Sequence, residues 1–267
     1  MPSCRPGPDE IVPPVHSDAE VVSMVPDWLH VLSIAALVFG GLCALIVLVD
    51  VVRHPQHMWI MNVVWPVTAL FGTVLTLWGY FTYGRLATHE MMRQAKERGE
   101  EMPSKRDTPF PMMVAKGAAH CGSGCTLGDI IAEWLVVFAP TVAVWFGWRS
   151  LFAEKMFAVW IVDFIFAFAF GVAFQYFTIK PMRNLSPGEG LVQAVKADAA
   201  SLTAWQVGMY GFMAFAGFYL FGTVLGAKLE PASPEFWFMM QIAMLCGFVT
   251  SYPVNWWLIS TGVKERM

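Results

Sequence analysis

Six long apolar runs, joined by polar links, constrain this chain more than any other feature. A helix needs roughly 20 apolar residues to cross the hydrocarbon of a bilayer. The qualifying segments run from about Trp28 to Val52, Met58 to Tyr83, Thr126 to Trp148, Phe152 to Thr178, Ser201 to Leu225 and Phe236 to Ser260. A closed β-barrel is the other solution that lipid permits, but its strands read as short alternating segments, and these runs are unbroken. The expected fold class is all-α, an integral membrane bundle of six transmembrane helices.

The composition agrees. The chain is 57% hydrophobic and 14% charged, against about 25% charged in an ordinary soluble domain. A net charge of −3 gives no sign of a nucleic-acid partner; the expected partners are the lipid bilayer and a metal ion. Residues 1–26 are Pro-rich and lack apolar periodicity, so they are expected to form a disordered cytoplasmic tail. The first apolar run is too long for the h-region of a signal peptide. Residues 27–267 are expected to form one transmembrane domain with a charged cytoplasmic loop at 84–110. Within that loop Glu90 to Glu101 reads as a solvated helix, and Pro187 to Ala200 reads as a helix running into the fifth span. Most Lys and Arg fall in the loop 84–110, around 180–196 and after Ser260, with Arg53, Arg149, Lys155 and Lys228 on the other side. With six crossings, the positive-inside rule puts both termini in the cytoplasm.

Ionisable groups in hydrocarbon are expensive and need a reason. The densest set is His120-Cys121-Gly122-Ser123-Gly124-Cys125, followed by Asp129 and Glu133. One helix from Met112 to Trp148 would be about 55 Å long, too long for a simple crossing. Glycine is a poor interior helix residue, so the break is expected at Gly122-Ser123-Gly124. Phe110 to Cys121 then becomes a broken or re-entrant segment before the third span, with Ser123 or Thr126 as the helix cap. Asp129 and Glu133 share a face near that N-terminus, which also favours a Cys125 thiolate.

Thiolate and imidazole suit copper(I) and zinc. The candidate metal ligands are His120, Cys121 and Cys125, with Asp129, Glu133 and Asp163 completing the shell or moving protons. The bland alternative is a glycine-rich hinge with packed cysteines. Asp163, deep in the fourth span, needs a partner on another helix or a neutral state. Asp50, His54 and His57 form a possible second, outer site; the alternative there is a polar turn anchored by Trp59. Gln175, Gln206, Gln241 and Asn255 suit interhelical hydrogen bonds. No nucleotide or haem signature is present, and there is no phosphate-binding loop or nucleophile elbow. Three functions stay open: handling of copper or zinc as transporter, carrier or sensor; a membrane thiol–disulfide oxidoreductase using Cys121 and Cys125; and a structural or partner-binding subunit without chemistry.

Several motifs occur in order: Arg53-His54-Pro55-Gln56, the His120 to Ile130 stretch, Phe174-Gln175-Tyr176-Phe177, Lys196-Ala197-Asp198, Gln206-Val207-Gly208-Met209-Tyr210-Gly211 and Ser251-Tyr252-Pro253-Val254-Asn255-Trp256-Trp257. Together they resemble a family of bacterial and archaeal membrane proteins known as domain of unknown function 4396. The resemblance covers roughly Trp28 to the C-terminus. It implies a multi-pass protein of the bacterial inner membrane and brings no activity or catalytic residue with it.

Overall fold

The computed structural model describes residues 25–266, apart from the side chains of Pro181 and Met182. Cys4 and nearly all of the expected tail lie outside the described residues. The elements are α1 (Asp27–Arg53), α2 (Met61–Gly79, extended by a π turn, Tyr80–Gly84, and a 3-10 turn, Arg85–Ala87), α3 (His89–Arg98), α4 (Pro103–Arg106), α5 (Phe110–Phe138), α6 (Thr141–Trp145), α7 (Lys155–Arg183), α8 (Pro187–Ala214, continued as a π segment, Phe215–Leu225) and α9 (Pro234–Ser260). Two isolated bridges are the only β pairing among the described residues. Six helical segments are long and apolar enough to cross a membrane, as the hydropathy predicts. Their exposed faces carry large apolar residues such as Trp28, Leu42, Leu75 and Val249, which suit lipid contact.

The second segment folds back on itself. A straight helix from Met61 to Ala87 would hold its ends about 40 Å apart. Instead the His57 N–H donates to the Ala87 carbonyl at 2.8 Å, and His89 N–H donates to Pro55. The Trp65 and Tyr80 rings meet edge to face at 5.4 Å. The reversal is at Thr73, with φ 41° and ψ −119°. That backbone is an outlier for a β-branched residue and stores about 1–3 kcal/mol. Met61–Gly72 enters the bundle, Val74–Gly84 returns, and both mouths of the hairpin open on one side. The irregular segment expected before the third span is therefore present, but it lies at Thr73 rather than at Gly122-Ser123-Gly124.

His30, near the start of α1, pairs with Glu235, near the start of α9, at 2.6 Å. At the opposite end, Trp59 packs against Phe177 near the end of α7 at 5.2 Å. We call the end that carries residues 84–109 the loop end, and the other the far end. The start of α1 lies at the far end and the close of α9 at the loop end.

α5 is continuous through its glycines. The backbone breaks later, where Pro140 lacks an N–H and pushes Ala139 out of the helical region (φ −131°, ψ 73°). Gly124 and Gly128 are seams rather than hinges. A Cβ on Gly124 would lie 2.8 Å from the Gly171 nitrogen, and one on Gly128 2.4 Å from that of Ala167. This small-residue spacing brings the α5 and α7 backbones into contact. Gly222 and Gly226 do not repeat it, because Gly222 faces its own helix and Gly226 is a left-handed C-cap. The charged loop does contain the solvated helix α3, with an Arg93–Glu90 pair at 2.8 Å. α8 opens with a Ser186–Glu189 capping box and runs into its span, as expected.

Accessibility of single introduced cysteines to a membrane-impermeant thiol reagent checks the hairpin. Asp27→Cys and Ala232→Cys should label from one face and Glu90→Cys from the other. Labelling of positions 27 and 90 from the same face would mean that the second segment crosses.

Candidate functional site

The polar residues of the interior lie along facing sides of α5, α7, α8 and α9. Nearest the loop end is a closed ionic cluster. Lys264, just beyond α9, turns into the bundle with its side chain fully buried. Its Nζ donates to Cys121 Sγ at 2.8 Å, Asp198 Oδ1 at 2.9 Å, Asn255 Oδ1 at 2.9 Å and the Gly117 carbonyl at 3.2 Å. The Cys121 thiol donates to Asp198 Oδ1 at 2.6 Å and lies 3.0 Å from Ser201 Oγ, which accepts from Asn255 Nδ2 at 2.7 Å. Gly117 makes room for this arrangement: a Cβ there would meet Ile259 at 3.1 Å and approach the Lys264 stem. Burial works against the Lys264 ammonium, but Asp198 and Cys121 outweigh it and hold its pKa above the ordinary lysine range.

His120 points away from this cluster, towards α7, where Nε2 meets Thr178 Oγ1 at 3.1 Å. Its Nδ1 and both polar atoms of Gln175 are buried with no hydrogen-bond partner among the described residues. Cys125 is one turn deeper than Cys121 and fully buried. Both are free thiols. Residues four apart on a helix hold their Cβ atoms about 5–6 Å apart, whereas a disulfide needs about 3.8 Å. Joining Cys121 to Cys125 would require α5 to open.

Towards the far end, Asp129 on α5 and Asp163 on α7 are almost fully buried, and neither carboxyl has a hydrogen-bond partner among the described residues. They lie within electrostatic reach of one another and of Glu133. Gln206 stands beside Asp129 without closing a hydrogen bond. Tyr210 faces the same group and donates to the Trp160 carbonyl at 2.8 Å. Glu133 completes the series, within reach of Lys155 and Glu230 at the far end. An ionisable residue at the centre of a spanning helix costs about 2.5–3.5 kcal/mol. Carboxyls without partners leave that cost uncompensated unless a proton or a cation neutralises them.

The structure redistributes the expected ligands. Among the described residues no three His, Cys, Asp or Glu side chains come together in a way that could hold a metal ion. His120 and Cys121 point to different neighbours, and Cys125, Asp129 and Glu133 occupy successive turns. Ser123 and Thr126 do not cap a helix; they donate back to the carbonyls of His120 and Gly122 at 2.8 Å each. α5 begins about four turns before Cys125, so Cys125, Asp129 and Glu133 stand far from any helix N-terminus. Asp50 and His54 are at the loop end rather than opposite it. Asp50 pairs with Arg85 at 2.6 Å and accepts from Tyr80 at 2.8 Å, while His57 stacks edge-on to His89 instead of joining them. Gln241 and Asn255 do bond across helices, Gln241 to the Leu70 carbonyl at 2.7 Å. Gln175 and Gln206 do not, among the described residues. Sequence reading missed Lys264, Asp198 and Ser201 as site residues. The one available signal was an Asp three residues before a Ser on the inward face of the fifth span.

Removing one member of a buried ion pair costs about 3–5 kcal/mol because the other is left charged and unpaired. Lys264→Met and Asp198→Asn should each lower stability in detergent by roughly that amount, and the double variant should recover most of it. Thermal unfolding of the four proteins measures this. Additive losses in the double variant would show that the two groups do not act as a pair.

No curated protein and no solved structure gives a significant match to the chain. The family pattern described as domain of unknown function matches residues 112–264, the part that contains α5, α7, α8, α9 and Lys264. On that match the chain belongs to the DUF4396 family of membrane-embedded domains.

Proposed function

We propose that the protein moves a cation across the bilayer, with protons exchanged along the α5–α7–α8 column. One observation carries this reading. Titratable and amide groups follow one another through the helical core from Lys264 and Asp198 to Glu133, and Asp129 and Asp163 lie among them with no hydrogen-bond partner among the described residues. A structural core gains nothing from two such carboxyls; a path for charge requires them. The re-entrant hairpin supports the same reading, since broken helices at membrane depth are found where backbone is buried in protein or lines a cavity. The excess of Lys and Arg at the loop end, with Arg149, Lys155 and Lys228 at the far end, supports a cytoplasmic loop end.

A soft metal, copper in preference to zinc, is the second reading for the cargo. It is favoured by sulfur: Cys121 and Cys125 share one buried cluster with Met209, Met213, Met239, Met240 and Met244. Thiolate and thioether donors select copper(I).

Purified protein in liposomes containing a pH-sensitive dye tests the column. With a proton gradient and a copper(I) or sodium counter-gradient, the wild type should carry protons. Asp129→Asn and Asp163→Asn should each lower the rate at least about tenfold. Wild-type rates in both variants would overturn the proposal.

A further inference from the structure

Two lysines are buried among the described residues, and their surroundings differ. Lys264 meets four acceptors, one of them a carboxylate. Lys116, on α5 just past Phe110, is 4% exposed, and its Nζ donates to Thr108 Oγ1 at a long 3.4 Å. Neither an ion pair nor a second hydrogen bond satisfies it among the described residues. Thr108 is buried too, and its hydroxyl proton has no acceptor among the described residues. An ammonium and a hydroxyl therefore converge with protons to donate. Lys116 also forms part of the wall of an apolar cavity of about 240 Å³ between the two arms of the hairpin, α5 and α9. From this pairing we propose that the cavity binds a single-chain anionic amphiphile, a fatty acid, with its chain between hairpin and α5 and its carboxylate on Lys116 and Thr108. The proposal goes beyond the transport reading and does not depend on it.

The walls suit a hydrocarbon chain. Two threonines line the cavity, but their hydroxyls turn back into the hairpin. Thr68 donates to the Val64 carbonyl at 2.7 Å and Thr76 to the Thr68 carbonyl at 3.4 Å. What remains is apolar surface from Trp65, Trp78, Met112 and Phe248, which gives water nothing to bond to. Gly79 keeps the space open: a Cβ there would meet only Met112 at 3.8 Å and Trp65 at 4.0 Å. The volume suits one chain. It falls below the roughly 300 Å³ at which pockets for whole drug-sized ligands begin. A methylene is about the size of a water molecule, roughly 30 Å³, so the cavity holds a chain of about eight carbons.

The polar group stands at one end. Lys116 lies about 9 Å along α5 from its start, and its ammonium reaches back to Thr108 at the loop end. Phe71 and Gly72 line the same cavity beside the reversal at Thr73. Head and chain therefore have separate places. A neutral lipid tail would fill the walls and leave the buried ammonium unpaired, at a cost. An inorganic anion would pair with the ammonium and leave the walls empty. A phospholipid brings a second chain and a bulky headgroup, for which the cavity has no room. One chain ending in one negative charge meets both demands.

Decanoate carrying carbon-13 at its carboxyl is the probe, with the full chain in phosphatidylcholine nanodiscs. Carbon NMR should show about one saturable bound carboxylate per chain. Its titration should fall at least about one pH unit below that of decanoate in protein-free nanodiscs, because a neighbouring ammonium favours the charged form. Decanol, with the same chain and no charge, should bind the wild type about tenfold or more weaker. Lys116→Met removes an unpaired buried charge, so it should fold at least as well as the wild type. It should lose the lowered titration and the preference for decanoate over decanol. Gly79→Leu, which fills the cavity and leaves Lys116 in place, should remove the bound signal. The proposal is overturned if decanoate binds Lys116→Met as it binds the wild type, or if decanol binds the wild type equally well. Displacement of decanoate by phosphatidylglycerol in the nanodisc would overturn it too, by assigning the site to a two-chain lipid. The decanol and phosphatidylglycerol arms use the unaltered protein, so they decide the matter even if a variant folds poorly.

Discussion

The absence of water from the bilayer core governs this structure. Every backbone N–H and C=O at that depth must find a partner inside the protein, which restricts the chain to helices and makes each departure from a helix informative. At Thr73 the chain departs at membrane depth, and the surrounding protein compensates it. Gln241 of α9 reaches the Leu70 carbonyl at 2.7 Å, just before the reversal. Side chains face the same constraint. Asp198 is tolerated because Lys264 neutralises it, and Asp50 because Arg85 and Tyr80 do so together. Asp129 and Asp163 stand out against this pattern among the described residues.

The helical class, the positions of the apolar segments and the value of the His120 to Glu133 stretch were legible in the sequence, because hydropathy and the cost of buried charge are local properties. Gly124 and Gly128 show how far local reasoning goes. Their four-residue spacing suits close packing of helices, yet glycine's low helix propensity argues for a break at the same place. Packing against Gly171 and Ala167 outweighs propensity by removing the alternatives that an isolated helix would have. The reversal at Thr73 leaves almost no local mark beyond the adjacent Gly72. Its apolar content matches that of other long segments, and the sign of it lies in contacts between residues 55–57 and 87–89, which hydropathy does not report.

The site was half legible for a related reason. Cys121, Cys125, Asp129, Glu133 and Asp163 are conspicuous as polar residues in apolar text. Their grouping depends on helix rotation and on pairing between helices. His120 and Cys121 are adjacent in sequence but about 100° apart around the axis, so one meets Thr178 and the other Asp198. Lys264 lies in a short polar tail after the last span, where a basic residue is ordinarily taken for a topology signal. Its burial and its contacts with Gly117, Cys121, Asp198 and Asn255 show that it points inward.

The glycine seam between α5 and α7 has a mechanical consequence. Two helices whose backbones touch over two successive turns have no side-chain cushion to deform, so they behave as a single strut bearing Asp129 and Asp163 at a set separation. Any change of access from one face to the other must then come from softer parts. The bent hairpin around Thr73 and the wide-turned stretch Phe215–Leu225, both outside that strut, are where the proposed transport reading places such a change.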